Sequence, residues 1–263
     1  MENNQEPIEQ IPSVEEPLEQ LSVSDAITGV ITGPGETFDT LVKTKKKNYW
    51  IIPVLLSIVI GVVITFIFFR DAQLMSGIMD KQKAQLEKRM EEQVKSGKMS
   101  PEQSKQAVEQ AEKFMDPKSP FFQIIGYGGT AVVPFLMLFV LSLIYLLLLK
   151  VFKADVDFGN LLNVVGLPMI IIIIGSIISL VLSIVMGTVS TLSPALILNE
   201  GLVGSRLAEF LTKVDLISIW YYIVVAIGLS KVAKISSGKS YVIVFGVWVF
   251  WIVISSLFGL IFG

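Results

Sequence analysis

Four stretches of this chain, Tyr49–Phe69, Gly126–Leu149, Leu161–Gly187 and Tyr241–Phe262, continue without one charged side chain. A helix needs about 20 apolar residues to cross a hydrocarbon core about 30 Å thick, and each stretch has that length. In lipid the backbone must satisfy its own hydrogen bonds, so continuous apolar runs of this kind read as helices. A fifth stretch, "ISIWYYIVVAIGLSKVAK", is less ample. Its uncharged part is Leu216–Ser230, with Asp215 and Lys231 at its ends. A terminal lysine can carry its ammonium out to the headgroups, so Lys213–Ala233 reads as a span. The expected fold class is an all-α integral membrane protein with five transmembrane helices. Composition agrees: 17% of residues are charged, against about 25% in soluble domains.

The N-terminal segment "MENNQEPIEQIPSVEEPLEQ" carries six glutamates and no lysine or arginine. That is the reverse of a basic signal-peptide start, and its low hydrophobicity with scattered prolines predicts a disordered acidic tail over 1–23. Orientation follows the lysines and arginines near span ends. With five spans, Lys43, Lys45, Lys46, Lys47, Lys150, Lys153, Lys231, Lys234 and Lys239 share the side of the N-terminus. The other side has Arg70, Lys81, Lys83, Lys113 and Lys118 near span ends, with Arg206 and Lys213. Nine against seven favours a cytoplasmic N-terminus and an outward C-terminus. Tyr49 and Trp50, and then Trp220, Tyr221 and Tyr222, read as interfacial anchors, since each ring has an apolar body and a polar tip.

Two segments outside the spans have their own pattern. Over 71–116, Met75, Met79, Leu86, Met90 and Val94 form one stripe, and Gly97 ends it. "SPEQ" starts a second helix with Ser100 as N-cap, Pro101 at the first helical position and Gln103 completing a capping box. Val108, Ala111 and Met115 form the second stripe. This predicts an extracytoplasmic helical hairpin between the first two spans, packed on itself, with a partner-binding coiled-coil arm as the alternative. Over 24–48, Ile27, Val30 and Ile31, then Phe38, Leu41 and Val42, have helical spacing broken at Gly33-Pro34-Gly35. Beside Lys45–Lys47, they predict short interfacial juxtamembrane helices with lysines meeting anionic lipid. Leu202, Val203, Leu207, Phe210 and Leu211 form a similar amphipathic stretch between the third and fourth spans.

Catalytic constellations are not evident. The chain has neither Cys nor His, which removes thiol nucleophiles, disulfides and imidazole metal or acid–base sites. "DFG" at Asp157–Gly159 stands without the His-Arg-Asp loop of a kinase. "SGKS" at Ser237–Ser240 has Ala233 where a phosphate loop requires its first glycine. No cofactor, metal or nucleic-acid partner is expected. Pro134 and Pro168 each remove a backbone hydrogen bond that neighbouring helices must replace. A kink is the plain reading, and a transport hinge the other. Serines, threonines, tyrosines and Asn163 suit helix–helix hydrogen bonds.

Three blocks together resemble the Yip1 domain family, in its bacterial-type members: "GPGETFDTLVKTKKKNYWIIPVLL", "ADVDFGNLLNVVGLPMIIIIIG" and "KVDLISIWYYIVVAIGLSKVAKISSGKSYVIVFGVWVFW". The resemblance covers about 24–263, with the 70–120 region as an insertion. It implies an acidic cytoplasmic N-terminus, five spans and an outward C-terminus. Eukaryotic relatives act in vesicle traffic and bind small GTPases of the Rab type. The tyrosine-bearing motif of their N-terminal region is not evident here, which argues against a GTPase partner.

The expectation is a non-enzymatic protein of the bacterial cytoplasmic membrane, with a five-helix domain over 49–263. It would act as a scaffold or interaction partner in membrane organisation or trafficking. Its partners would be the bilayer, a membrane or cytoplasmic protein, or a second copy of itself. The candidate interaction surface is Gly33, Pro34, Phe38, Asp155, Asp157, Lys231 and Lys239. A small-solute transporter or permease component is the alternative.

Overall fold

A computed structural model describes residues 21–44, 47–114, 116–197, 211 and 214–261. Most of the acidic tail, the amphipathic stretch around Leu202–Phe210, Lys45, Lys46, Met115 and Lys213 lie outside the described residues. The regular elements among the described residues are helical. Ser22 caps α1 (Val23–Thr32) by accepting from the Asp25 N–H at 3.0 Å, so the helix starts at the end of the segment expected to be disordered. Gly33 separates α1 from α2 (Pro34–Lys43), where proline occupies the first turn.

Four helical segments are long and apolar enough to cross a membrane: α3 (Ile51–Arg70), α6 (Pro120–Val151), the pair α7 (Phe158–Gly166) and α8 (Met169–Met186), and α10 (Ser237–Ile261). Their outward faces carry exposed apolar side chains, among them Val59, Val133, Leu143, Val181 and Val249. In water such a surface would be costly; against lipid tails it is not.

The shorter apolar helix α9 (Leu216–Val232) has 17 residues, a rise of about 25 Å. Its start is fixed by Asp215, whose carboxylate accepts from the Ser218 N–H at 2.8 Å and the Ser218 hydroxyl at 2.6 Å. Asp215 at the end of the stretch is thus a helix cap. Tyr221, Val224, Val225, Ala226, Gly228, Leu229, Ser230 and Val232 of α9 are buried. Packed against α2, α7, α8 and α10, it is an inner helix. That burial corrects the reading of Tyr221 as an interfacial anchor: its hydroxyl donates to the Val165 carbonyl at 3.0 Å in the core.

The third span breaks at Gly166-Leu167-Pro168, whereas α6 continues through Pro134. The Val165 carbonyl lies beside this break, so Tyr221 supplies a donor where the helix ladder is interrupted. All eight residues from Leu161 to Pro168 are buried. Gly166 permits that, because a β-carbon there would overlap the Trp50 side chain.

Between α3 and α6, α4 (Ala72–Lys95) and α5 (Pro101–Phe114) pack against each other. The Ser100 N–H donates to Gln103 Oε1 at 2.9 Å, and the Gln103 N–H to Ser100 Oγ at 3.2 Å, completing the capping box. Lys83 and Glu112 join the two helices at 2.7 Å.

Contacts sort the helix termini into two ends. At the near end, α2 touches the last turns of α9, and Asn163 of α7 bonds the backbone just before α3. At the far end, the Leu216 N–H donates to the Leu192 carbonyl at 3.0 Å, and Gln73 of α4 packs on Gly187 after α8.

Candidate functional site

The near end gathers most of the residues singled out in the sequence. Helices α1 and α2 were expected to lay their apolar faces on lipid. Instead Ala26, Val30, Phe38 and Leu41 join the cluster of α7 and α9 side chains that forms the core. The physical reason is available surface: α9 presents a small residue, Gly228, and the Phe38 ring fills the resulting notch. An ideal β-carbon on Gly228 would lie 2.7 Å from Cε2 and 2.8 Å from Cζ of that ring.

One turn further on, Lys231 Nζ donates to Asp39 Oδ2 at 2.6 Å, with the two side chains 38% and 45% exposed. The pair closes the edge of the Phe38–Gly228 contact. At such exposure its worth is limited to about 0–1 kcal/mol, because water screens it and both side chains lose freedom. Its geometric effect is larger, since it fixes the rotation of α2 against α9. The ring burial supplies most of the docking energy, about 1.5–3 kcal/mol for a fully buried large side chain.

A second latch binds the chain before α3. Asn163 Nδ2 donates to the Lys47 carbonyl at 2.9 Å, and the Trp50 N–H donates to Asn163 Oδ1 at 3.2 Å. Tyr49, expected as an anchor in the interface, is buried, and its hydroxyl donates to the Leu21 carbonyl at 2.8 Å. Two buried polar groups therefore tie the segment before α3 both to α7 and to the start of α1.

The predicted surface residues fall into two groups. Phe38 is buried and belongs to the core; Gly33 and Pro34 are half-buried at the α1–α2 joint; Lys231 is half-buried in its ion pair. Asp155 and Asp157 are exposed in the connection from α6 to α7, and Lys239 is exposed in the first turn of α10. The contacts joining Phe38, Asp39 and Lys231 include neither these aspartates nor Lys239. Sequence reasoning missed Asp39, whose only signal was an acid on the flank of an amphipathic helix preceding a lysine run. It also missed the latch roles of Tyr49 and Tyr221, which their interfacial character concealed.

Among the described residues no group of three or more His, Cys, Asp or Glu is placed to hold a metal ion. The contacts described at the near end are those of packing, helix capping and a clasp. No curated protein and no solved structure matches the chain. The family model described as Yip1 domain matches residues 28–260, from inside α1 almost to the end of α10. The protein is an integral membrane protein, and it belongs to the Yip1 domain family.

Proposed function

We propose that the protein is a non-enzymatic membrane scaffold with five crossings, acting through protein or lipid partners in membrane organisation or trafficking. The observation that carries this reading is the use made of buried polar side chains. Asn163, Tyr221 and Ser240 each bond the backbone of another element, Ser240 through the Ala226 carbonyl of α9. They hold helices together. Proton and ion pathways instead place Asp, Glu, Arg or His within the bundle, whereas Asp39 and Lys231 pair at its near end.

A crossing by α9 is supported by its two ends: Leu216 bonds Leu192 at the far end and Lys231 meets Asp39 at the near end. The lysine distribution then favours a cytoplasmic near end, an outward C-terminus and an extracytoplasmic hairpin of α4 and α5. On this reading the cytoplasmic partner surface is drawn from the exposed Asp155, Asp157 and Lys239. A second copy of the chain is one partner that such a surface could take. The break between α7 and α8 is the feature that a solute transporter would share, since broken helices line substrate sites in such proteins.

A photo-crosslinking residue placed at Lys239 or Asp155 in native membranes tests the reading. A discrete protein adduct at both positions, absent when the probe stands at Lys88, is the expected result. Solute counterflow by the reconstituted protein, with no adduct at either position, would replace the scaffold by a transporter.

A further inference from the structure

Helix α9 starts well inside the bundle. The Ile217 side chain packs on Gly175 of α8 so closely that a β-carbon there would overlap it. From that contact α8 continues to Met186, a rise of about 16 Å. Helix α10 gives the same offset. Its Ser240 hydroxyl donates to the Ala226 carbonyl, and the two helices run antiparallel, so Leu216 falls about level with Phe250. From there α10 goes on to Ile261, again about 16 Å. The far ends of α3 and α8 coincide, since Gln73, just after α3, packs on Gly187, just after α8. Arg70, the first charge after the apolar run of α3, marks the water boundary at that level.

The chain after α8 descends accordingly. The Ser190 N–H donates to Ser183 Oγ at 3.0 Å, so the backbone beyond Gly187 has turned back along the last turn of α8. The Leu192 carbonyl then meets the Leu216 N–H, which sets this far-end contact deep. Polar side chains accompany the descent: Thr188 and Thr191 are exposed, while Ser190 and Ser193 are buried. Asp215 lies at its foot. About 16 Å from the boundary is the middle of a hydrocarbon core about 30 Å thick, where a carboxylate needs a paired cation or water. Its oxygens accept from the Ser218 N–H and hydroxyl, neither of which carries a charge. No ion pair reaches Asp215 among the described residues. The α9 terminus offsets part of the charge, but the remaining lone pairs still need donors.

We infer that Asp215 is the floor of a polar, water-filled recess that enters the bundle from the far face and ends near its mid-plane. Asp215 is half-buried, as a carboxylate reached by water from one side must be. The fifth crossing proposed above is then made in two parts, the descending turn supplying the length that the 17 residues of α9 lack. The recess itself needs only the crossings of α3 and α8, so it stands whichever face is cytoplasmic.

The test places single cysteines in the full chain, which has none of its own, and treats membrane vesicles from one face at a time with membrane-impermeant thiol reagents. Thr191→Cys should be labelled from the same face as Gln103→Cys in the α4–α5 hairpin. Val181→Cys, within the far half of α8 on its exposed outer face, should be labelled from neither. A cationic reagent should modify Thr191→Cys several-fold faster than an anionic one of the same size, because the Asp215 carboxylate attracts it. Asp215→Asn keeps a capping side chain and should remove most of that preference. Leu192→Cys serves where Thr191→Cys fails to fold. Protection of positions 191 and 192 from both faces, labelling of Val181→Cys as fast as Thr191→Cys, or an unchanged preference beside Asp215→Asn would overturn the recess.

Discussion

The Phe38 ring and the α9 backbone at Gly228 are in such close contact that neither position has a neutral substitution. Gly228→Leu must expel the ring or separate the helices, and overpacking alone costs about 1–3 kcal/mol. Phe38→Ala leaves a cavity at a site with no exposed surface, at about 3–5 kcal/mol. Trp220 is half-buried, so Trp220→Phe, which keeps an aromatic body, should be mild. Membrane abundance and thermal aggregation after detergent extraction should separate the first two variants from the third. At Asp215 the cap decides the outcome. Asp215→Asn keeps a good capping side chain and should be nearly silent, while Asp215→Ala should cost about 1 kcal/mol in stability. Equal losses in both variants would mean that the charge itself is needed.

At the scale of elements, α4 and α5 carry their own start and stop signals, and their energetics should be correspondingly local. A peptide spanning 71–116 should show helicity that rises with concentration, since short amphipathic helices are marginal alone. Circular dichroism over a dilution series checks this, and its absence at every concentration would show that the pair depends on the bundle. Glu112, beside Lys83, holds the Lys83 ammonium above its ordinary range. The pair's contribution is therefore complete below the unfolded lysine pKa and is lost as pH rises through the folded one. These helices were legible because their signals are local: the Ser100–Gln103 box spans four residues and Gly97 closes its own turn. The docking of α1 and α2 was not. An amphipathic face reads identically whether its partner is lipid or protein, and the partner here is distant in the chain, with Lys231 lying 192 residues from Asp39. The break at Pro168 was legible from proline itself, but the Tyr221 hydroxyl that serves it comes from another helix.

On the five-crossing proposal, the whole molecule is an alternating bundle in which α9 crosses inside the other spans. Length and composition alone identify four crossings, because a helix of 17 residues falls short of a bilayer. What favours a fifth is burial: an inner helix can be short and carry fewer exposed apolar side chains, since its neighbours rather than lipid surround it. The two counts place Lys239 differently. With five crossings it shares a face with Lys153, and with four it lies on the opposite one. The chain has no native cysteine, so single cysteines at positions 103, 153 and 239 can be labelled in intact cells with a membrane-impermeant thiol reagent. Labelling at 103, with 153 and 239 both reached only after permeabilisation, is the predicted result; labelling that divides 153 from 239, or that reaches 153 and not 103, would contradict it.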